Sequence, residues 1–140
     1  MTDNFNIDEF NISGSDIPTD VYDKILEYHA VPMQRVRDEL GFGIWPSEKS
    51  SYRTLEWELD RGRSGNSQHT YTYLGATDWT CKDFAANKDK LLKSIIKNTD
   101  YKRIAVYNNF IHCDYKEGRE GRSLFKYDYT ERNWKFLKKI

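Results

Sequence analysis

Three side chains set the chemistry this chain can attempt. His69 lies in Ser67-Gln68-His69-Thr70-Tyr71-Thr72-Tyr73, and nine residues further on Asp78 closes the small-residue run Gly75-Ala76-Thr77-Asp78. Far downstream, Phe110-Ile111-His112-Cys113-Asp114 supplies a second imidazole at the end of a strand-like segment. Two imidazoles and one carboxylate suit a Zn²⁺ that keeps a fourth position open for water. Asp78 is the lone charge in an uncharged run, and such a carboxylate is costly to bury unless it is paired or bound to metal. His112, between Ile111 and Cys113, is in the same situation. Asp114 follows His112 by two residues and so shares its face on a strand. Two roles are open to it: general base, or a hydrogen bond that orients a ligand imidazole. Ser67 falls on the face of His69 if that stretch is extended, and either supports a ligand or caps the loop. His29, in a helical stretch between Tyr28 and Ala30, reads as a surface or helix-end histidine.

Strands and helices must bring these residues together. Residues 1–15 are polar, with isolated Phe5, Ile7, Phe10 and Ile12, and read as an extended arm on the surface or partly disordered. A helix follows from Thr19 or Asp20, Pro32 interrupts it, and a second piece runs from Val31 to Leu40, with Gly41 and Gly43 ending it. Residues 44–52 read as loop and strand, 54–59 as a short helical turn, and 61–66 as a loop feeding His69. Gly75 to Cys81 alternates as a strand. Lys82 to Asn98 has Phe84, Leu91, Leu92, Ile95 and Ile96 at helical spacing. Arg103–Tyr107 and Phe110–Tyr115 read as paired strands turning at Asn108-Asn109, and 125–129 and 133–137 close the chain. The fold class is α+β, with helices packed on a small antiparallel sheet. Residues 16–140 form one domain.

Composition narrows the partners. The 140 residues carry 22 basic and 22 acidic side chains, so no basic excess points to nucleic acid or an anionic membrane surface. Hydrophobic content is 38%, low for a core, but ten Tyr and four Trp supply area that aliphatics would otherwise fill. No apolar run is long enough to span a bilayer, and the N-terminus has no basic region leading into an apolar stretch. Cys81 and Cys113 are too few for a disulfide framework and read as reduced, buried small hydrophobes.

Ser51-Tyr52-Arg53, Ser67-x-His69 with Gly75-Ala76-x-Asp78, and Phe110-Ile111-His112-Cys113-Asp114 together resemble, in order and spacing, the zinc D-alanyl-D-alanine carboxypeptidase-like peptidases. That family shares its fold with the hedgehog signalling domain and includes phage endolysins and cell-wall hydrolases. Val31–Gly41 resembles the helix preceding the family's Ser-x-Arg segment, and the resemblance covers roughly residues 30 to 115. It implies His69, Asp78 and His112 as zinc ligands, and Arg53 as the cation that binds a substrate carboxylate or carbonyl and steadies an anionic intermediate. It implies hydrolysis of peptidoglycan stem or cross-link peptides, by a protein held in the host cytoplasm before release or carried in a virion.

Two departures from the family pattern stand out. The family spaces its His and Asp seven residues apart in S-x-H-x-x-G-x-A-x-D; the nine here imply a bulged loop that puts Tyr71 and Tyr73 at the pocket as substrate contacts. Many members also carry an acid three residues before the last His, where this chain has Asn109, which cannot take a proton. Asp114 is the substitute in reach, and Glu56, Glu58, Asp60, Asp83 and Glu117 read as solvated. A second reading is a catalytically silent metal-binding protein on the same scaffold, with virion proteins or a peptide as its partners. A plain α+β domain without metal is the third.

Overall fold

Two helical segments with apolar stripes lie along one face of a six-stranded sheet, and the strand register leaves the other face to carry polar side chains. The computed structural model describes residues 1–140. The strands are β1 (Ile44–Pro46), β2 (Ala76–Cys81), β3 (Arg103–Val106), β4 (Ile111–Asp114), β5 (Ser123–Asp128) and β6 (Asn133–Lys139). Their spatial order is β1-β2-β4-β3-β5-β6. Every neighbouring pair is antiparallel except β3 and β5, so the sheet is mixed and not purely antiparallel as expected. The cause is the loop after β4: it carries the chain past β3 and sets β5 down on β3's far edge, running the same way.

The helices are α1 (Thr19–Lys24), α2 (Val31–Leu40), α3 (Leu55–Asp60) and α4 (Phe84–Asn98). Pro32 does not break the chain between α1 and α2, as its sequence position suggested. A π-helical segment, Ile25–Ala30, joins them without a turn. Pro32 has no N–H to give the carbonyl four residues back, at Tyr28. The Tyr115 hydroxyl donates to that carbonyl instead, at 2.7 Å, so the helix continues with its acceptor satisfied. Gly41 ends α2 in the left-handed region, at φ 74°, as a C-terminal glycine does.

Alternation along β2 and β4 sorts the two faces. Trp79, Ile104, Ile111 and Cys113 join Met33 and Val36 of α2 and Leu91 and Ile95 of α4 in the core. The N-terminal residues are not a surface arm. A 3₁₀ turn at Ile7–Phe10 directs Phe5 and Phe10 into that core, where both are fully buried and meet Trp79 edge-on at 5.3 and 5.7 Å. Aromatic area explains the change, because two Phe rings gain more from covering an indole than a polar chain gains from staying loose. No helix is long and apolar enough to cross a membrane.

Candidate metal centre

On the face of the sheet away from α2 and α4, β2 and β4 pair Asp78 directly opposite His112, and Ala76 opposite Asp114. His69 arrives from a 3₁₀ turn, Gln68–Thr70. Its position is fixed from both ends of the residue. The Ser67 hydroxyl accepts from the His69 backbone N–H at 3.1 Å, and the Arg53 N–H donates to the His69 carbonyl at 2.9 Å. Ser67 is therefore the cap of this turn. The stretch is not extended, so the hydroxyl supports His69 through its backbone rather than through its ring.

The ring nitrogens then decide what the site can hold. His69 Nδ1 lies 2.8 Å from the Ser51 carbonyl, which can only accept, so Nδ1 carries the proton and Nε2 keeps its lone pair. That lone pair faces Asp78 Oδ1 at 3.4 Å. His112 Nε2 donates to Asp114 Oδ2 at 2.7 Å, and its Nδ1 meets the same Asp78 oxygen at 2.9 Å. Three electron-rich atoms on three buried residues thus converge within 4.8 Å of one another, a group that could hold a metal ion. Tetrahedral Zn²⁺ ligands sit about 3.3 Å apart, given bonds of about 2.0–2.1 Å. The His69–Asp78 separation of 3.4 Å matches that spacing and the His112–Asp78 contact of 2.9 Å must open slightly, while the widest separation in the group, within 4.8 Å, must close around an ion.

With no metal, the convergence demands a proton. Burial opposes charge on His112, but hydrogen bonds to Asp114 and Asp78 outweigh it and push its pKa up to about 9. Burial likewise works against the Asp78 carboxylate. The neighbouring His69 and the His112 hydrogen bond prevail, holding it well below the usual carboxylate range. Its second oxygen accepts from Ser50 Oγ at 2.8 Å and lies 3.8 Å from Arg53 Nη2.

Asp114 is fully buried, and its carboxylate is committed. Burial raises its pKa less than His112 and Arg103 lower it. Arg103 grips both oxygens, with Nε at 3.0 and 3.1 Å and Nη2 at 2.7 Å. The bond from His112 Nε2 to Asp114 leaves Nδ1 facing Asp78, the geometry of an orienting partner.

A cleft of about 550 Å³ opens over the triad. Arg53, Ser67, His69, Asp78 and His112 line it, as the sequence suggested. Tyr71 and Tyr73 do not. Tyr71 is buried behind the site, its hydroxyl 2.6 Å from Ser51 Oγ, and its backbone is left-handed at φ 59°. The bulge turns inward there because Gly75, at φ 85°, offers a backbone with no Cβ for the Tyr71 ring to lie on. Tyr73 is exposed outside the cleft. Asn109 is exposed too; its carbonyl accepts from Thr80 Oγ1 at 2.9 Å and it takes no part in the lining.

Several lining residues escaped the sequence reading: Glu48, Trp57, Arg61, Arg63, Tyr107 and Trp134. Glu58, expected to be solvated, is 1% exposed and lies 3.6 Å from Arg53 and 3.5 Å from Arg63. The helix α3 is inverted from a simple amphipathic pattern, with Glu58 inside and Leu55 and Leu59 exposed. His29 was also misplaced: it is fully buried, on the helix side of the sheet. Comparison with protein-family models, with curated proteins and with solved structures gives no match.

Proposed function

We propose that the chain is a zinc-dependent peptidase acting on peptidoglycan stem or cross-link peptides, with a fold of the hedgehog and D-alanyl-D-alanine carboxypeptidase type. The observation that carries this reading is the lone-pair arrangement: His69 Nε2, Asp78 Oδ1 and His112 Nδ1 face one another on the floor of an open cleft. Bound there, Zn²⁺ would supply a Lewis acid for a scissile carbonyl and lower the pKa of water.

The chain's own residues do the rest. Ser51 and Asp114 hold the two imidazole tautomers, and Ser50 holds the free oxygen of Asp78. Arg53 is kept beside the triad by Ser50 at 2.8 Å and by Glu58. There its fixed charge binds a substrate carboxylate or a developing oxyanion. With Asp114 engaged by Arg103, acceptance of the water proton falls to Glu48, the one other carboxylate besides Asp78 that lines the cleft. Its backbone is left-handed at φ 52°, a conformation costly for a non-glycine residue and concentrated at functional sites.

Elemental analysis of untagged protein purified without chelator tests the reading. About one zinc per chain, lost in His112→Ala, together with cleavage of cell-wall peptides, is the expected result. No zinc in either protein would end it.

The commitment of Asp114 to Arg103 favours a second reading, a catalytically silent metal-binding protein with a virion protein or a peptide as partner. It predicts bound zinc and no cleavage of any stem peptide.

A further inference from the structure

Strand β6 sends a single side chain inward. Every residue of Asn133–Lys139 is exposed except Trp134, which is half-buried. Its indole reaches across the open face of the sheet. The ring centre lies 5.3 Å from that of Phe125 on β5, 4.7 Å from the Arg103 guanidinium on β3, and 5.1 Å from the His112 imidazole on β4. Its Nε1 donates to the Tyr107 hydroxyl at 2.8 Å, which fixes the orientation of the ring. Tyr107 is itself stacked between Phe110 and Tyr127, at 4.4 and 4.5 Å, so the acceptor is held in place. Stacking on β5 does not by itself bury a ring here. Phe136, further along β6, also packs on Phe125, at 5.9 Å, and stays 56% exposed.

What the indole covers is a chain of charged hydrogen bonds. Arg103 donates to Asp114, Asp114 accepts from His112 Nε2, and His112 Nδ1 is left aimed at Asp78. Asp114, in the middle, has no exposed side-chain surface, while Arg103 keeps 19% of its own and His112 keeps 11%. Water can therefore enter only at the two ends, and Trp134 lies against both. Hydrogen bonds between charged groups strengthen where water is excluded. The face of the indole also attracts the guanidinium and so helps to keep it on Asp114.

We infer that Trp134 is a positioning residue: it shields the Arg103–Asp114–His112 chain from water and thereby holds the His112 imidazole in the pose that binds metal. The consequence for metal rests on the proposed zinc reading; the shielding does not. A ligand imidazole takes its orientation and basicity from the partner of its other nitrogen, so a guard on that partner acts on the metal without touching it. The guard comes from the C-terminal hairpin of β5 and β6, beyond the residues that resemble the zinc peptidases.

Two measurements on the full chain test this. In the metal-free protein, NMR should show the His112 Nε2–H as a low-field resonance that exchanges slowly with water. Trp134→Ala should lose that resonance to exchange. Trp134→Phe, which keeps a ring over Arg103, and Phe136→Ala, an exposed change on the same strand, should both retain it. Zinc is then titrated against a competing chelator at a temperature well below the melt. Trp134→Ala should bind it about tenfold more weakly, and Trp134→Phe within about threefold of the unaltered chain. Added to Asp114→Asn, which already breaks the chain, Trp134→Ala should weaken zinc by no more than about a further twofold, since two changes in one network do not add. If Trp134→Ala does not fold, Trp134→Leu, which fills space without an aromatic face, should show the same losses. A protected resonance or unchanged zinc affinity in Trp134→Ala would overturn the inference. So would an equal loss in Phe136→Ala, or a tenfold effect that persists beside Asp114→Asn. No zinc bound by any of these proteins would remove the metal reading alone, and the exchange measurement would still decide whether Trp134 is the shield.

Discussion

Two regions of this molecule bury histidine, on opposite faces of the same sheet, and they use it in opposite ways. On the helix side, His29 has every ring valence answered. Its Nε2 donates to the Leu74 carbonyl at 2.9 Å, and its Nδ1 accepts from the Tyr101 hydroxyl at 2.8 Å with the Thr77 hydroxyl beside it at 3.0 Å. Burial drives its pKa down to about 4, so it is neutral and inert. On the open side, His69 and His112 each spend one nitrogen on a fixed partner and aim the other at the Asp78 carboxylate. Burial alone does not separate a structural histidine from a ligand. What separates them is whether a lone pair is left over and whether it meets others.

The largest effect should come from removing one of those leftover lone pairs. His112→Ala should abolish stoichiometric zinc binding and any peptide turnover, and its melting temperature should stop responding to added zinc, because binding to the native site is the source of that stabilisation. Elemental analysis and a thermal melt with and without zinc would show it. A melting temperature that still climbs with zinc in the variant would mean that the metal sits elsewhere.

Glu48→Gln and Asp114→Asn then divide two tasks between two carboxylates. Glu48→Gln should bind zinc normally and lose turnover by about a hundredfold or more, the usual contribution of a general base. Asp114→Asn should weaken zinc about 10- to 100-fold, as loss of a partner to a metal-bound histidine does. Its turnover should return when zinc is saturating. A variant at Asp114 that is fully loaded yet inactive would restore that residue to the role of base and leave Glu48 without one.

His29→Ala provides the contrast. It leaves a cavity and takes away the partner of the Leu74 carbonyl and the acceptor of the Tyr101 hydroxyl, so a loss of about 2–4 kcal/mol is expected in urea melts, with zinc stoichiometry intact. The same residue predicts acid sensitivity. Between pH 6.5 and about 4 the unfolded chain binds a proton that folded His29 refuses. Its contribution is complete above pH 6.5 and is lost as pH falls towards 4, amounting to about 3 kcal/mol across that window. Stability of a His29→Gln variant should fall less steeply over the same range. An unchanged slope would show that His29 is not held neutral.

The open-face site was more legible in sequence than the buried one, and the reason is local. His69, Asp78 and His112 stand in strand-like or small-residue runs where a polar group is conspicuous, so their types and order carried the reading. His29 sits in a helix whose polar and apolar residues alternate without a clean stripe, and its partners Leu74, Thr77 and Tyr101 lie 45 or more residues away. The pairing of β3 with β4 was readable from the Asn108-Asn109 turn, and α4 from the helical spacing of its apolar residues. The parallel placement of β5 was not, because it depends on a loop's path rather than on any residue's preference. Glu58 was misjudged for a related reason. Its burial follows from two arginines at positions 53 and 63 that only the folded chain brings to one carboxylate.

The smallest effect sharpens the comparison most finely. Ser67 touches His69 only through the backbone, accepting from its N–H at 3.1 Å to cap the turn. The ring is held separately by the Ser51 carbonyl at 2.8 Å. Ser67→Ala should therefore cost about 1 kcal/mol of stability, the usual worth of a cap, while the zinc affinity of the folded protein changes by no more than about twofold. Titration of zinc against a competing chelator at a temperature well below the melt would separate the two. A tenfold loss of affinity would mean that the turn, not the Ser51 carbonyl, aims the imidazole. The orientation of His69 would then depend on loop geometry, where the orientation of His112 depends on the buried carboxylate of Asp114.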